Sequence, residues 1–351
     1  MGGAERMLYQ LVSSTEFEHT VFYFHAGPFV QQLEDLHIKT VQIKGYFFRY
    51  DPLFLWRLYH AMRSENPDVI HAMLWAANVA ARLCAYFLGK PLITAYHNNV
   101  CQDGRFRNFS DRLTFMMSDK HIAVSEQIAQ ALKVRTKQST MQHIEIIPNG
   151  IDIAAYVSSL TKEDLGLSAD TFVIGAVGRF VALKRFDLLF EAVATCNVPR
   201  TLIHVLLIGV GPEEKALRKL AEKLGIASQV TFVVGQDARV YYPLFDCFVQ
   251  SSDKEGISIA LLEAMSFGIS CIVMGDDYQH PVITHNVDGL VCSPGNKEML
   301  AAYIELLTMH KHEAQSLAHQ GFLKVKKFFN SRSMIDKYAK VFNEAAQINP
   351  K

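Results

Sequence analysis

Short runs rich in β-branched and aromatic residues alternate with amphipathic stretches from one end of this 351-residue chain to the other. That alternation leaves few choices, because strands joined by helix-length connections pair in parallel and the helices then cover the faces of the sheet. In the first half the pattern predicts strands at His19 to Phe24, Thr40 to Ile43, Asp68 to Ala72, Leu92 to Tyr96, His121 to Val124 and Ile144 to Ile147. Helices are predicted between them, at Pro52 to Arg63 and Asn78 to Leu88 among others. The second half predicts strands at Phe172 to Val177, His204 to Ile208, Val230 to Val233, Cys247 to Gln250 and Cys271 to Met274. The fold class is therefore α/β, with two doubly wound units. The polar stretch Ser158 to Asp164 interrupts the pattern and places the boundary between Asp152 and Thr171. Open sheets of this kind bind ligands beyond the carboxyl ends of their strands, so two of them are expected to face each other across a cleft that holds the active site.

The stretch Ser251-Ser252-Asp253-Lys254-Glu255-Gly256-Ile257-Ser258 carries the most specific chemistry. Ile259, Leu261, Leu262 and Met265 behind it read as the buried stripe of a short helix that begins just after Gly256 and ends at Gly268. Glu255 then lies in the loop before a helix start and Glu263 inside the helix. Unpaired N–H groups at a helix start suit a phosphate or a polar sugar ring, and carboxylates beside them accept hydrogen bonds from hydroxyls. Arg179 follows a predicted strand end and Lys184 opens the predicted helix Phe186 to Ala194, so both cations can reach one phosphate. His97 stands at the carboxyl end of another predicted strand, which raises it above the rest of the chain's 14 histidines.

Bulk properties exclude several classes. Lys plus Arg equals Asp plus Glu at 35 each, so no basic excess points to nucleic acid. No apolar run approaches the roughly 20 residues of a spanning helix, and the N-terminus lacks a charged start followed by an apolar signal core. A cytosolic location is expected. The six cysteines, Cys84, Cys101, Cys196, Cys247, Cys271 and Cys292, lack the paired spacing of a zinc or redox motif and read as reduced thiols. Asp276-Asp277 resembles a metal-binding pair only superficially. A nicotinamide-dependent dehydrogenase shares the α/β pattern, but the chain lacks the glycine fingerprint followed by a ribose-binding acid.

Other segments keep two readings each. Asn149-Gly150 is a turn dipeptide before the linker, at least as much as a ligand contact. Ser125 and Glu126 read as the cap of a helix from Gln127 to Leu132, and Gly209, Gly211 and Pro212 open another helix. Arg105, Arg107, Arg112 and Lys120 mingle with Phe106, Phe109, Phe115, Met116 and Met117. That mix fits either an aromatic stripe facing the core or a contact with an anionic bilayer.

Taken in order, the pieces Gly2-Gly3-Ala4-Glu5-Arg6, Ala123-Val124-Ser125-Glu126, Ile147-Pro148-Asn149-Gly150-Ile151-Asp152, Val177-Gly178-Arg179-Phe180 with Lys184, Leu207-Ile208-Gly209-Val210-Gly211-Pro212-Glu213, the two-glutamate segment and Asp288-Gly289-Leu290-Val291 resemble the retaining glycosyltransferases of family 4 over nearly the whole chain. The resemblance implies a GT-B fold of two Rossmann-like domains, at residues 1–155 and 165–330, with the helical pattern from Met334 to Ala346 in the terminal segment 331–351 crossing back to the first. It implies a hexosyltransferase-like enzyme that moves a sugar from a nucleotide-sugar to a glycan or lipid-linked hydroxyl, with retention, in cell-surface polysaccharide or glycolipid synthesis. Arg179 and Lys184 would hold the donor pyrophosphate, each contributing roughly 2 to 4 kcal/mol in the transition state. Glu263 would accept from the ribose hydroxyls, and Glu255 from the transferred sugar; a role for Glu255 as covalent nucleophile ranks below same-face transfer. The backbone after Gly256, with Ile257 and Ile259, would support donor oxygens, Val234 and Gly235 would line the base pocket, and His97 would hydrogen-bond a sugar hydroxyl. Gly2 and Gly3 would form a phosphate or acceptor loop. The nucleotide-sugar is a co-substrate, and neither a catalytic metal nor a cofactor is expected.

One departure stands out. The family opens with a hydrophobic strand ahead of its Gly-Gly loop, whereas Met1 directly precedes Gly2 here. The reading favours a true start further upstream over an impaired chain. The departure is also the support for an alternative class, a non-catalytic GT-B protein that binds a nucleotide-sugar or a partner enzyme.

Overall fold

The computed structural model describes residues 3–45, 52–97, 104–137, 144–153, 158–252, 255–278 and 280–348. The chain divides into two compact units, one of residues 1–150 with 331–351 and the other of residues 151–330.

The first unit starts with helix α1 (Gly3–Ser14), followed by β1 (Thr20–Tyr23), α2 (Pro28–Asp35) and β2 (Lys39–Gln42). Then come α3 (Pro52–Glu65), β3 (Ile70–Met73), α4 (Trp75–Leu88), β4 (Leu92–Tyr96), α5 (Arg105–Thr114), β5 (Lys120–Ala123), α6 (Glu126–Thr136) and β6 (Ile144–Ile146). Strands β3, β4, β5 and β6 form one parallel sheet in that order, and β1 pairs in parallel with β2 alone. Among the described residues, β1 and β3 thus each keep one edge without a strand partner. A single helix layer nonetheless serves both sheets: Phe54, Leu58 and Met62 of α3 pack with Ile70 and Ala72 of β3 and with Phe22 and Val41 of β1 and β2. β4 is buried along its whole length, as a central parallel strand should be.

Local chemistry sets the helix ends. Gly89 stops α4 in a left-handed conformation, φ 63°, a region that costs glycine nothing. Ser125 caps α6, its hydroxyl accepting from the Ile128 amide at 3.3 Å, as the sequence suggests.

The second unit holds a six-stranded parallel sheet ordered β12-β11-β10-β7-β8-β9. Its strands are β7 (Phe172–Val177), β8 (Ile203–Gly209), β9 (Val230–Val234), β10 (Cys247–Gln250), β11 (Ser270–Met274) and β12 (Leu290–Cys292). Its helices are α7 (Phe186–Thr195), α8 (Glu214–Lys223), α9 (Ile259–Ser266), α10 (Lys297–Met309) and α11 (Lys311–Phe328). The order runs outward in one direction from β7 and in the other from β10, so the two meet at the point where the winding reverses. After α11 the chain enters α12 (Ser331–Ala346), which packs in the first unit: Met334, Ile335, Tyr338, Val341 and Phe342 share a core with Met7 and Leu11 of α1 and Ile93 and Ala95 of β4.

Five cysteines of the described residues are free thiols. Burial pushes Cys84, Cys196 and Cys292 up to about 12, which leaves them protonated and inert. Among the described residues no helix is long and apolar enough to cross a membrane.

Candidate functional site

The loops that leave β7 and β10 flank the reversal point of the second sheet, and the predicted donor residues lie on them. β7 and β8 continue to pair beyond their ends, with the Gly178 amide donating to the Ile208 carbonyl at 3.0 Å and the Phe180 amide to the Val210 carbonyl at 2.8 Å. This close approach requires glycine: a Cβ on Gly209 would sit 1.8 Å from the Gly178 carbonyl oxygen. Gly209 and Gly211 lead into α8 as the sequence suggests, and they also pack against this loop.

Arg179 projects from the end of β7, exposed and with no ion-pair partner among the described residues. Lys184 closes a 3-10 turn, Ala182–Lys184, rather than opening α7, and Arg185 follows it in a left-handed conformation. The Lys184 side chain lies over Gly178, where a Cβ would meet its Cε at 3.0 Å, and its Nζ donates to Oε1 of Glu255. Ser252 Oγ donates to the same oxygen at 2.8 Å, and Ser251 Oγ donates to the Lys184 carbonyl at 2.8 Å. The pair is largely shielded, with 21% of the Lys184 side chain and 13% of the Glu255 side chain exposed. Both donors act on Oε1, and neither engages Oε2 of Glu255.

Gly256, Ile257 and Ser258 lead into α9, which starts at Ile259, two residues later than the sequence suggests. Ser258 caps it, accepting from the Leu261 amide at 3.5 Å, and Ile257 and Ile259 are buried. Gly268 ends the helix in a left-handed conformation, φ 69°. Glu263, on the second turn, is half-buried, and Tyr242 donates to its Oε2 at 3.0 Å. Tyr242 is itself wholly buried and stacks on Phe267, which fixes the angle at which Glu263 is held. Val234 and Gly235 end β9 exposed, Gly235 with φ 73°. Arg179, Lys184, Glu255, Val234 and Gly235 thus all lie at the carboxyl edge of one sheet, with Glu263 on the helix that follows.

His97 belongs to the first unit, directly after β4. It is buried, and its Nδ1 lies 3.1 Å from Oδ1 of Asn149. Since Oδ1 accepts, Nδ1 carries the proton and Nε2 holds a lone pair, which meets no partner among the described residues. Burial pulls the pKa of His97 down to about 4 against a smaller opposing effect of Asn149, so the ring is neutral at pH 7. Asn149 was legible only as a turn residue; that it orients His97 from 52 positions away has no local signal in the sequence. Gly3 opens helix α1 instead of lying in a loop, and Gly2 falls outside the described residues. Asp276 and Asp277 are exposed in a 3-10 turn, and among the described residues no three His, Cys, Asp or Glu side chains group as metal ligands.

An open parallel sheet with a cation, a carboxylate and a capped helix at its reversal point is the layout of a Rossmann-like α/β unit. Comparison with known proteins carries this further. The family model described as Glycosyl transferases group 1 matches residues 158–322, and that described as Glycosyltransferase Family 4 matches residues 1–155. The lipopolysaccharide core biosynthesis glycosyltransferase LpsD of Rhizobium meliloti is 27% identical over 346 residues, covering 97% of this chain and 95% of that protein. Among solved structures, Anabaena HepE in complex with UDP and glucose superposes with a TM-score of 0.85 at 20% identity, over 98% of this chain and 96% of that one. A glycosyltransferase from Rickettsia africae superposes with a TM-score of 0.83 at 17% identity, over 99% and 96%. The chain belongs to glycosyltransferase family 4, has the two-domain α/β fold of the GT-B enzymes, and is a glycosyltransferase.

Proposed function

We propose that the chain moves a hexose from a nucleotide-sugar to a hydroxyl of a glycan or lipid-linked acceptor, with retention of anomeric configuration, in the synthesis of a cell-surface polysaccharide or glycolipid. The carrying observation is the Lys184–Glu255 pair at the reversal point of the second sheet, with exposed Arg179 beside it. A departing nucleoside diphosphate gathers negative charge as the glycosidic bond lengthens, and cations fixed beforehand stabilise that charge without reorganising. Lys184 is fixed in this sense by Gly178, Ser251 and Glu255; Arg179 supplies the second cation. Glu255 holds Lys184 with one oxygen and grips sugar hydroxyls with the other. The ion pair with Lys184 draws charge from the Glu255 carboxylate as a whole and weakens it as a nucleophile, which favours a positioning role over covalent attack. Transfer then takes place on one face, the leaving phosphate accepting the proton of the incoming hydroxyl. Glu263, steadied by Tyr242, accepts from the ribose, Gly256 to Ile259 face the donor oxygens, and Val234 and Gly235 border the base.

His97 is proposed as an acceptor of one sugar hydroxyl through Nε2. With its pKa near 4 the ring is neutral at pH 7, its one proton on Nδ1, and Nε2 is too weak a base to drive the transfer. The chain is proposed to need neither metal nor cofactor, so chelation with EDTA is expected to leave the rate unchanged. The relatives support the setting: LpsD acts in lipopolysaccharide core biosynthesis, and an Escherichia coli relative, 22% identical over 321 residues and covering 81% of this chain and 78% of that protein, transfers galactose to a diphosphoundecaprenol-linked sugar.

A panel of nucleotide-sugars screened by thermal shift identifies the donor, since a ligand of the folded state raises its melting temperature by mass action. NMR of the product then reads the anomer. An inverted product would refute the same-face mechanism. A chain that binds donor and never turns over, with hydrolysis included, would make it a binding protein.

A further inference from the structure

Helix α5 is built inside out. Its inward face is polar: Ser110, Asp111 and Thr114 are all buried. Asp111 sits between two buried arginines, with its Oδ1 2.7 Å from Arg82 on α4 and its Oδ2 2.6 Å from Arg135 on α6. Arg82 also donates to Thr114 Oγ1 at 3.1 Å and to Ser118 Oγ at 3.2 Å, so the helix is bolted to its neighbours through charge. Its outward face is apolar. Phe106, Phe109 and Leu113 are 54%, 65% and 68% exposed at the spacing of one helical face, and Met116, in the 3-10 turn Phe115–Met117 that follows the helix, is 62% exposed. Tyr86 and Phe87, at the end of α4, are also exposed, and Tyr86 shares the lining of a small surface cavity with Met117, the neighbour of Met116. Of the aromatic and methionine residues in this segment, only Phe115 takes the core-facing position that an ordinary stripe would have.

A soluble helix hides its apolar stripe and wets its charges, so the inversion calls for a partner that solvates apolar side chains. The charge pattern says which. α5 contains Arg105, Arg107 and Arg112 and a single acid, Asp111, which is buried and consumed by two arginines. Arg112 is exposed on the outer side, and Arg107 lies over the Trp75 ring, its guanidinium carbon 4.8 Å from the centroid. An apolar face flanked by arginine with no outward acid fits the boundary of an anionic phospholipid bilayer, where the rings enter the acyl region and the guanidinium groups meet phosphates.

We infer that the outer face of α5, continued by the end of α4, docks this protein onto anionic phospholipid membranes. The buried Arg82–Asp111–Arg135 triad is what keeps the apolar face turned outward. The inference deepens the proposed transfer to a lipid-linked acceptor and rests on that reading for its purpose; the surface itself does not depend on it.

Flotation with vesicles tests it. The full chain is expected to float with phosphatidylglycerol vesicles and not with pure phosphatidylcholine, and to lose binding several-fold as salt rises from about 0.05 to about 0.5 M. The triple variant Phe109→Ser, Leu113→Ser, Met116→Ser changes only exposed side chains; its vesicle affinity should fall at least about tenfold with unchanged circular dichroism. Arg112→Gln should weaken binding and flatten the salt dependence, while Leu323→Ser, an exposed change on α11, should do neither. No flotation of the parent, or equal flotation of the triple variant, overturns the inference. So does light scattering that shows a dimer dissolved by the triple change, since a second copy would then be the occupant. A donor-induced thermal shift is read on the same samples: a shift without vesicle binding sinks docking alone, and vesicle binding without any donor response sinks the transferase mechanism alone.

Discussion

Lys184 is held from two places far apart in sequence: Gly178 beneath its stem, and the stretch that puts Ser251 on its carbonyl and Glu255 on its ammonium. Such over-determination is what preorganisation means for a cation that must meet a leaving phosphate. Lys184→Ala and Arg179→Ala are each expected to lower kcat/KM by about 100- to 1,000-fold in a donor-consumption assay. The two should differ in stability. Arg179 is exposed and unpaired among the described residues, so its removal should leave urea unfolding unchanged, whereas loss of Lys184 strands the shielded Glu255 and should cost about 1 to 3 kcal/mol. Equal stability of the two variants would show that the pair is weaker than its burial implies. Gly209→Ala meets a backbone carbonyl that cannot step aside, and is expected to destabilise by at least about 2 kcal/mol or to fail to fold; a melting temperature within error of the parent would mean that the two loops separate easily. At this scale the sequence exposes side chains whose chemistry is unusual for their place, such as Glu255 and Lys184. It hides Asn149 and Tyr242, ordinary residues that act only through a distant partner.

The helix α5 shows why an element can be visible in sequence while its orientation is not. Apolar residues at helical spacing announce a helix and, as a rule, its inner face. Here the rule is reversed by Arg82 and Arg135, which come from two other helices and draw Asp111 inward. No window along the chain contains all three. The strands were legible for the opposite reason: β7, β8, β10 and β11 are buried on both faces, so each reads as a largely apolar run. β12, only Leu290–Cys292, is too short for such a run, and its pairing with β11 supplies what its length does not. The energetics of the triad give a prediction for the element. Asp111→Asn keeps the shape and removes the charge shared by two buried guanidinium groups, and leaving a buried charge unpaired costs about 3 to 5 kcal/mol. Urea unfolding followed by a probe in the first unit should show a loss of that size, while α9 and the second sheet should unfold at the parent's midpoint. A loss below about 1 kcal/mol would mean that water reaches the arginines, and the triad would not be what holds α5 in place.

For the molecule as a whole, the stability change between pH 7.5 and 4.5 falls mainly on the chain's 14 histidines, because ordinary carboxylates take up protons only near about pH 4. Three of them are held in a neutral state: desolvation pulls half-buried His71 and His280 down to about 3 and buried His97 to about 4. In the unfolded chain each takes up a proton near its ordinary value of about 6.5. Below that pH the unfolded state binds more protons than the native one, so stability must fall as pH drops, from about 6.5 until the folded pKa values are reached. Protons favour unfolding here. The loss is shared between the units, with His71 and His97 in the first and His280 in the second. For His97 alone the difference between about 6.5 and about 4 sets a ceiling of roughly 3 kcal/mol. Urea midpoints measured from pH 7.5 to 4.5 should therefore decline steadily, and His97→Gln should flatten part of that decline while sparing the remainder. The same substitution separates the two roles of the residue. Glutamine keeps a hydrogen-bonding group in the pocket but cannot titrate, so a variant that retains turnover with a flatter pH–stability curve places His97 as an acceptor of hydroxyls. If turnover in the variant instead vanished while the parent's rate rose with pH through a single ionisation near neutrality, the ring would be working as a base, which its burial beside Asn149 argues against.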